Sequence, residues 1–310
     1  MKLKSESSNL VEKKLSLRVP DDFNFWRTVL SHGWCQLVPF SVDRERRVLK
    51  RIVKTRRQPV SLEMEARRPD QLEVRLVAHE RLLRSDVEEV QSQIVTMLRL
   101  DESMRNFYEA LRARSNGAGL DWIARAKVGR LLRGPSLFED IVKMICTTNC
   151  AWSATERMVR NLVTKLGTPF DNELACFPNP EQLARTSEDF LIREVRTGYR
   201  SAYLIEFAKS VANGRLDLAS YLDPKRDDLY RRLLEIKGIG PYAAGNLLKL
   251  LGHYEFLALD SWCRQRFSQL YRAGRKVSDR TIARRYQRYG PWQGLVMWLE
   301  LTRQWFDQDE

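Results

Sequence analysis

The chain has 310 residues, 43% hydrophobic and 30% charged, a balance typical of a globular protein large enough for two hydrophobic cores. Its 53 Lys and Arg against 40 Asp and Glu give a formal charge of +13, which predicts attraction to a polyanion such as nucleic acid. Because no apolar run suits a signal peptide or a membrane span, we expect a protein that is not secreted and that works in the cytoplasm or nucleoid of a bacterium, or in the nucleus of a eukaryote.

The first third of the chain carries the strand signals. Residues 1–14 are polar and charged and are predicted to form a disordered tail. Residues 60–66 and 72–78 alternate between apolar and polar side chains on either side of an Arg-Arg-Pro-Asp turn, the pattern of an antiparallel hairpin. Residues 15–115 are therefore predicted to form a mixed α/β domain that contains an antiparallel sheet.

Helical patterns dominate the rest of the chain. Residues 115–119, Ser-Asn-Gly-Ala-Gly, have the composition of a linker, and residues 120–310 are predicted to form a helical domain. Its last helix follows Tyr289-Gly290-Pro291 and is rich in aromatic residues. The predicted fold class is mainly α, and α+β for the chain as a whole.

A glycine turn between two helices is the most informative motif of the chain. Gly238 and Gly240 flank a single apolar residue, Ile239, and Pro241 then opens the next helix. Such a turn leaves backbone N–H groups at a helix N-terminus, where the helix dipole favours an anion such as a phosphate. Asp260 follows after that helix, within the apolar context Leu-Ala-Leu-Asp-Ser-Trp.

This combination resembles the helix-hairpin-helix/Gly-Pro-Asp superfamily of base-excision DNA glycosylases. The layout of a small α/β domain before a helical body is similar to that of the 3-methyladenine and 8-oxoguanine DNA glycosylases. The resemblance is specific from about residue 129 to residue 300 and architectural before that. Alternatively, the turn is a bare helix-hairpin-helix that binds DNA non-specifically, or a turn between two core helices.

The resemblance implies that Asp260 is catalytic. Cleavage of an N-glycosidic bond passes through an oxocarbenium-like state that a carboxylate stabilises while it positions a water molecule. The alternative is that Asp260 only caps the helix that follows it. Bifunctional relatives place a lysine two residues after the second glycine, where this chain has Tyr242; Lys237 and Lys249 are nearby but not at that position. Because a phenol cannot form an imine, the resemblance implies a monofunctional enzyme.

Further positions match elements that grip DNA in this superfamily. Asn149 ends a Thr-Thr-Asn run similar to the element that fills the gap left by a flipped base, and Tyr199 with Arg200 resembles a Gly-Tyr-Arg wedge. Arg130 and Arg133 offer cations to phosphates, and we expect Lys237 to face DNA from the turn. The alternatives are a helix C-cap for Asn149, a core tyrosine with a surface arginine, and a solvated basic face.

The chain departs from the 8-oxoguanine glycosylases at several places. Ala154 stands where those enzymes have an arginine for the orphaned cytosine, and Met297 where they have a glutamine that reads the base. Leu301 replaces their stacking phenylalanine, and Asn246 replaces a cysteine of their pocket.

An aromatic residue at Tyr242 instead resembles the alkylation glycosylases. We therefore expect a base pocket that includes Tyr242, Asn246, Trp262 and Met297, and an alkylated purine as substrate. The tryptophans can equally belong to the core, because aromatic residues at helical spacing usually pack inside a protein.

The cysteines and histidines are scattered and lack metal-site spacing. We predict no cofactor, no iron–sulfur cluster and no metal bound by side chains, although the resemblance allows an alkali cation at Gly238–Gly240. The predicted protein is a monomeric, monofunctional DNA N-glycosylase of base excision repair that acts on duplex DNA with a damaged base. The alternatives are an oxidised-purine glycosylase, with or without lyase activity, and a non-catalytic module that binds damaged DNA.

Overall fold

The computed structural model describes residues 10–114, 119–223 and 228–307. The N-terminal part is an antiparallel sheet of five strands, β1 (Val11–Arg18), β2 (Phe40–Asp43), β3 (Val48–Lys54), β4 (Pro59–Arg68) and β5 (Gln71–Ala78). Their order across the sheet is β1-β5-β4-β3-β2. This sheet and the helices after it confirm the predicted fold class.

The predicted hairpin is confirmed as β4 and β5, in which Leu62 pairs with Leu76. The predicted tail, in contrast, is too long, because β1 begins at Val11 and Lys14 already pairs with Arg75 of β5. Backbone pairing with β5 orders this polar segment, which has too few apolar residues to signal a strand. Residues 1–9 of the predicted tail lie outside the described part of the chain.

Two strands, β2 and β3, were not predicted from the sequence. The strand β2 has only four residues. In β3, Arg51 lies between Lys50 and the buried Ile52 and is itself buried, with 2% of its surface exposed. A buried arginine removes the alternation of polar and apolar residues by which a strand is recognised.

The helical part begins inside the sheet region and fills the rest of the chain. The helices of the described residues are α1 (Phe25–Val29), α2 (Arg84–Leu98), α3 (Arg105–Arg114), α4 (Asp121–Arg125), α5 (Leu137–Thr147), α6 (Trp152–Leu166), α7 (Pro180–Ala184), α8 (Glu188–Phe190), α9 (Arg200–Ala212), α10 (Leu229–Leu234), α11 (Pro241–Leu250), α12 (Ser261–Arg272), α13 (Asp279–Tyr286) and α14 (Gln293–Asp307). The predicted last helix is confirmed as α14. No helix among those described is long and apolar enough to cross a membrane.

The sheet joins the helical part through a buried ionic network. Glu139 of α5 lies 2.5 Å from the Arg51 guanidinium of β3 and 2.7 Å from Lys143 Nζ. The neighbouring Asp140 accepts a hydrogen bond of 2.9 Å from Trp34 Nε1. Hydrophobic residues from both predicted domains belong to one buried cluster. The division at residues 115–120 stays a prediction, and residues 115–118 of the predicted linker are not among those described.

Candidate active site

The glycine turn joins α10 to α11 with the geometry that its sequence predicts. Gly238 has a φ of 89°, and a Cβ atom there would lie 2.9 Å from Cδ2 of Tyr203. Ile239 is buried and anchors the turn, while Pro241 takes the first position of α11. Gly240 is exposed at the N-terminus of this helix, where the partial positive charge of the backbone favours an anion.

Asp260 is held at the start of α12 by its own side chain. Its Oδ1 atom accepts a hydrogen bond of 2.7 Å from the backbone N–H of Cys263, which makes it the N-cap. The loop before it is tied to α14, because the Gly294 N–H donates to the Tyr254 carbonyl at 2.7 Å. Asp260 therefore does cap α12, and the cap orients its half-buried carboxylate. The catalytic role of Asp260 stays a prediction.

Tyr242 lies beside Asp260, so the fold brings two of the predicted site residues together. Burial raises the pKa of the phenol, and the negative charge of Asp260 raises it further, so Tyr242 stays neutral at pH 7. Asn246, one turn along α11, donates a hydrogen bond of 3.0 Å from Nδ2 to the Tyr242 carbonyl. Its amide is thus partly occupied by its own helix.

Lys249 is a residue of this site to which the sequence analysis assigned no role. It follows Tyr242 by seven residues on α11, about two helical turns, so the two lie on the same face of the helix. Lys249 is buried, with 2% of its surface exposed, and its Nζ lies 5.2 Å from the centroid of the Trp298 ring. Burial lowers the pKa of this amine to about 8, although Cys263 and Asp260 oppose the shift. The sequence does contain a signal for Lys249. A single lysine stands inside the apolar run Leu-Leu-Lys-Leu-Leu, at a spacing that places it on the same helix face as Tyr242.

Tryptophans from α12 and α14 pack together next to this lysine. Trp262, predicted for the pocket, is half-buried, with its ring centroid 6.0 Å from Trp298 and 5.6 Å from Trp305. Trp298 Nε1 donates a hydrogen bond of 3.0 Å to the Ser31 carbonyl, which ties the cluster to the loop after α1. The prediction for Met297 is wrong in this structure: it has no exposed surface, because it faces the core side of α14.

The two predicted gap-filling residues lie side by side. Asn149, just after α5, has a φ of 48° and is exposed, and its Nδ2 lies 3.4 Å from the Tyr199 hydroxyl, to which it donates. Tyr199 is 53% exposed, although its ring also meets the Tyr203 ring edge-on at 6.0 Å between centroids. An amide and an aromatic ring from distant parts of the chain thus form one surface feature.

The prediction that Arg200 binds DNA is not supported by its position. Arg200 is buried, with 6% exposed, and its guanidinium donates to the carbonyl of Thr148. It also lies 4.6 Å from the centroid of the Tyr199 ring. Arg200 therefore holds Tyr199 against the end of α5, and its burial keeps it from the surface at which a phosphate would bind.

Arg130 and Arg133 are likewise not the phosphate contacts that were predicted. Arg130 is 1% exposed, and its guanidinium lies 2.6 Å from Asp22 and donates to the carbonyl of Glu102. Arg133 is 8% exposed and lies 3.2 Å from Asp140. Both arginines are held inside the protein by carboxylates, Arg130 by one far away in the sequence and Arg133 by one on the next helix, and a local basic run cannot reveal these partners.

Lys237 is exposed and forms a surface ion pair of 2.8 Å with Glu206, and its contact with DNA stays a prediction. Over the ranges that the structure describes, no group of three or more His, Cys, Asp or Glu residues is arranged to hold a metal ion. The alkali cation at Gly238–Gly240 and the absence of cofactors stay predictions.

Residues 142–291 match the family model of the HhH-GPD superfamily base excision DNA repair protein. The N-glycosylase/DNA lyase of Saccharomyces cerevisiae is 24% identical over 169 residues, which are 50% of this chain and 44% of that protein. The chain spans between 37% and 54% of the length of the curated relatives it matches.

Solved structures share the fold over nearly the whole chain. The 3-methyladenine DNA-glycosylase from Archaeoglobus fulgidus has a TM-score of 0.73 at 20% identity, covering 94% of this chain and 99% of that one. The 8-oxoguanine glycosylase/lyase from Clostridium acetobutylicum in its apo-form has a TM-score of 0.70 at 17% identity, covering 94% and 98%. The shared fold therefore includes structures named for an alkylated purine and for an oxidised one.

Proposed function

We propose that this protein, whose residues 142–291 match the family model of the HhH-GPD superfamily base excision DNA repair protein, is a monofunctional DNA N-glycosylase that removes a damaged purine from duplex DNA. The observation that carries the proposal is the half-buried Asp260 carboxylate, held by its own cap beside the neutral phenol of Tyr242 and following the glycine turn.

Asp260 provides the charge that the reaction needs. As the base leaves, positive charge develops on the deoxyribose ring, and a nearby carboxylate stabilises it most where water is scarce. The same carboxylate accepts a proton from the water that attacks C1′. Because the cap to Cys263 holds the side chain, little orientation entropy is lost when the substrate arrives.

The absence of a motif lysine supports hydrolysis over strand cleavage. Tyr242 occupies the position from which bifunctional relatives attack C1′, and a phenol cannot form an imine with the sugar. Its raised pKa keeps the proton on the oxygen, so Tyr242 donates a hydrogen bond or lines the pocket and does not act as a nucleophile.

The DNA contacts follow from surface features on separate elements. Gly240 offers a helix N-terminus to a phosphate. The exposed pair Asn149 and Tyr199 is suited to enter the duplex where the flipped base leaves the stack. The charge of +13 attracts the polyanion and predicts binding that weakens as salt is raised.

A second candidate function is a glycosylase with lyase activity. It is favoured by one observation: the buried Lys249 amine, whose pKa is about 8, lies in the electrostatic range of Asp260. An amine with a lowered pKa is a competent nucleophile for imine formation. A non-catalytic module is disfavoured, since a half-buried carboxylate near phosphates weakens the binding of DNA.

Single-turnover excision on duplexes with defined lesions tests the proposal. We expect a cut product only after hot alkali, because a monofunctional enzyme leaves an abasic site. Strand breaks without alkali, together with trapping of a covalent adduct by borohydride, would establish the lyase instead. Tight binding to damaged duplex with no excision of any lesion would favour the non-catalytic module.

Asp260→Asn is the matched mutational test. Asparagine is as good an N-cap as aspartate, so the start of α12 should be preserved while the charge is lost. We expect excision to fall by about 10³-fold, as when a major electrostatic contact to the transition state is removed. Binding to lesion DNA should stay equal or tighten. Asp279→Asn, which changes an exposed carboxylate paired with Arg264, serves as control and should keep full activity.

A further inference from the structure

Lys249 is a buried amine whose charge is not neutralised by a nearby partner. Only 2% of its surface is exposed, and within the described ranges no acceptor hydrogen-bonds its Nζ and no carboxylate forms an ion pair with it. Leaving a buried ammonium without a partner costs stability, so such a group calls for a functional explanation. Its Nζ lies 5.2 Å from the centroid of the Trp298 ring, whose face favours a cation.

The amine end of Lys249 lies in the same neighbourhood as the Tyr242 phenol. The pKa values of both groups respond to the same two residues at the start of α12, Asp260 and Cys263. In a helix, long side chains lean toward the N-terminus, so Lys249 leans toward the level of Tyr242 from two turns deeper. The aromatic cluster joins the two ends of the site: Lys249 Nζ lies 5.2 Å from the centroid of the Trp298 ring, and that ring lies 6.0 Å from Trp262, which follows Asp260 in α12.

Other titratable groups around Lys249 do not cancel its charge. Burial lowers the pKa of His32 to about 4 and raises the pKa of Cys263 to about 12, so both are neutral at pH 7. Asp260 is the charged group that acts on Lys249, and it does so without a direct ion pair. The site therefore carries a positive charge at Lys249 and a negative charge at Asp260.

We propose that Lys249 selects the damaged base: its ammonium group donates a hydrogen bond to an exocyclic carbonyl oxygen of a neutral purine and disfavours a cationic alkylated purine. This inference rests on the proposed function and names the substrate class of the same site. A neutral base with such an oxygen arises by deamination of adenine or by oxidation of guanine. The sequence predicts an alkylated purine as substrate. When the alkyl group makes that base cationic, its binding requires a negative or neutral partner and not an ammonium group.

Two physical effects act in the same direction. A hydrogen bond from an ammonium in a site with little water is stronger than one between neutral groups. A cationic base would bring a like charge to an amine that has no counter-ion at hydrogen-bond distance, and a low dielectric increases the repulsion. Aromatic rings such as Trp298 and Trp262 stack on bases of either class, so aromatic stacking alone would not discriminate.

Three damaged bases separate the effect of base charge from that of hydrogen bonding. Hypoxanthine is neutral and has an exocyclic carbonyl oxygen. The other two, neutral 1,N6-ethenoadenine and cationic 3-methyladenine, lack this oxygen. Single-turnover rates are measured on each with the wild type, Lys249→Met and Lys249→Arg, and an 8-oxoguanine duplex provides the oxidised example. We expect the wild type to excise hypoxanthine or 8-oxoguanine at least about 10-fold faster than 3-methyladenine. Lys249→Met should lower excision of the carbonyl-bearing base by about 10- to 100-fold, the loss of one charge-assisted hydrogen bond. It should leave excision of the other lesions equal or faster.

Lys249→Arg retains a cationic donor, so we expect it to retain the order of preference. Lys165→Met, at an exposed lysine paired with Glu194, is the matched surface control and should behave as the wild type. The proposal is overturned if the wild type prefers 3-methyladenine, or if Lys249→Met slows all lesions by the same factor while remaining folded by circular dichroism. It is also overturned if borohydride traps the wild type but not Lys249→Met, which would make Lys249 a nucleophile. Failure of the wild type to excise any lesion would instead contradict the proposed function.

Discussion

Two buried lysines of this protein, Lys143 and Lys249, differ in what surrounds their charges. Lys143 has no exposed surface and lies 2.7 Å from Glu139, which also contacts the Arg51 guanidinium of β3. Lys249 is almost as deeply buried, with 2% of its surface exposed, but among the described residues its charge is met by the Trp298 ring and, at longer range, by Asp260. Burial lowers the pKa of both amines.

This difference separates a lysine that joins two parts of the fold from one that is available to a ligand. At Lys143 the cost of burying charge is offset by a network in which each group has an opposite charge nearby. At Lys249 the cost is not offset within the described protein, so the stability that it removes can be regained when a ligand supplies an acceptor. Burial alone does not identify a functional residue; burial without a partner, next to a candidate catalytic group, does.

The largest effect that tests this contrast is expected for Lys143→Met. The change removes one of the two cations that contact the buried Glu139, and we expect the free energy of unfolding to fall by about 3–5 kcal/mol. Urea denaturation measured by circular dichroism gives this value, with Lys165→Met as surface control. An unchanged midpoint would mean that the network at the sheet contributes no net stability.

A smaller change of opposite sign is expected for Lys249→Met. Methionine fills a similar volume without a charge, so we expect the free energy of unfolding to rise by about 1–3 kcal/mol at pH 7. The same urea titration measures it. A clear loss of stability would show that Lys249 has a structural partner, and the contrast between the two lysines would disappear.

The charge of Lys249 should also be visible in the pH dependence. The pKa of the folded state, about 8, lies below the ordinary value of 10.5, so between these values the unfolded chain binds more protons and the wild type gains stability as pH rises. Excision of a carbonyl-bearing base at low enzyme concentration should fall as pH rises through about 8, because the ammonium donor is lost. Lys249→Met should show neither change in this range. A wild-type profile identical to that of the variant from pH 6 to pH 9 would argue against a titrating lysine in the site.

The smallest effect is expected at an exposed lysine, Lys237, whose ion pair with Glu206 is open to solvent. Lys237→Ala should change the free energy of unfolding by less than about 1 kcal/mol. If Lys237 contacts a phosphate, binding should weaken equally for all sequences, and the slope of log K against log salt should decrease by about 1. Titration of fluorescent duplex at several salt concentrations measures this slope, and no change in it would leave Lys237 without a DNA contact.

The parts of the fold that the sequence predicted are those with local signals. Alternation along β4 and β5, and the glycines at 238 and 240, depend on neighbouring residues and were interpreted correctly. The strand β3 was missed because Arg51 interrupts the alternation, and its partner, Glu139, is distant in the sequence. For the same reason Arg130 was wrongly assigned to the surface: its carboxylate, Asp22, comes from another segment of the chain.

For the candidate site, the sequence by itself determined which chemical groups are available: a carboxylate after a glycine turn, a tyrosine in place of a motif lysine, and a large positive charge. Only the tertiary structure decided which groups meet. It brought Asn149 to Tyr199, turned Arg200 inward, and left Lys249 buried without a counter-ion beside Tyr242 and Asp260. The physical reason is that residue type determines the chemistry of a group, whereas its burial, its partners and hence its pKa depend on residues that only the folded chain places next to it.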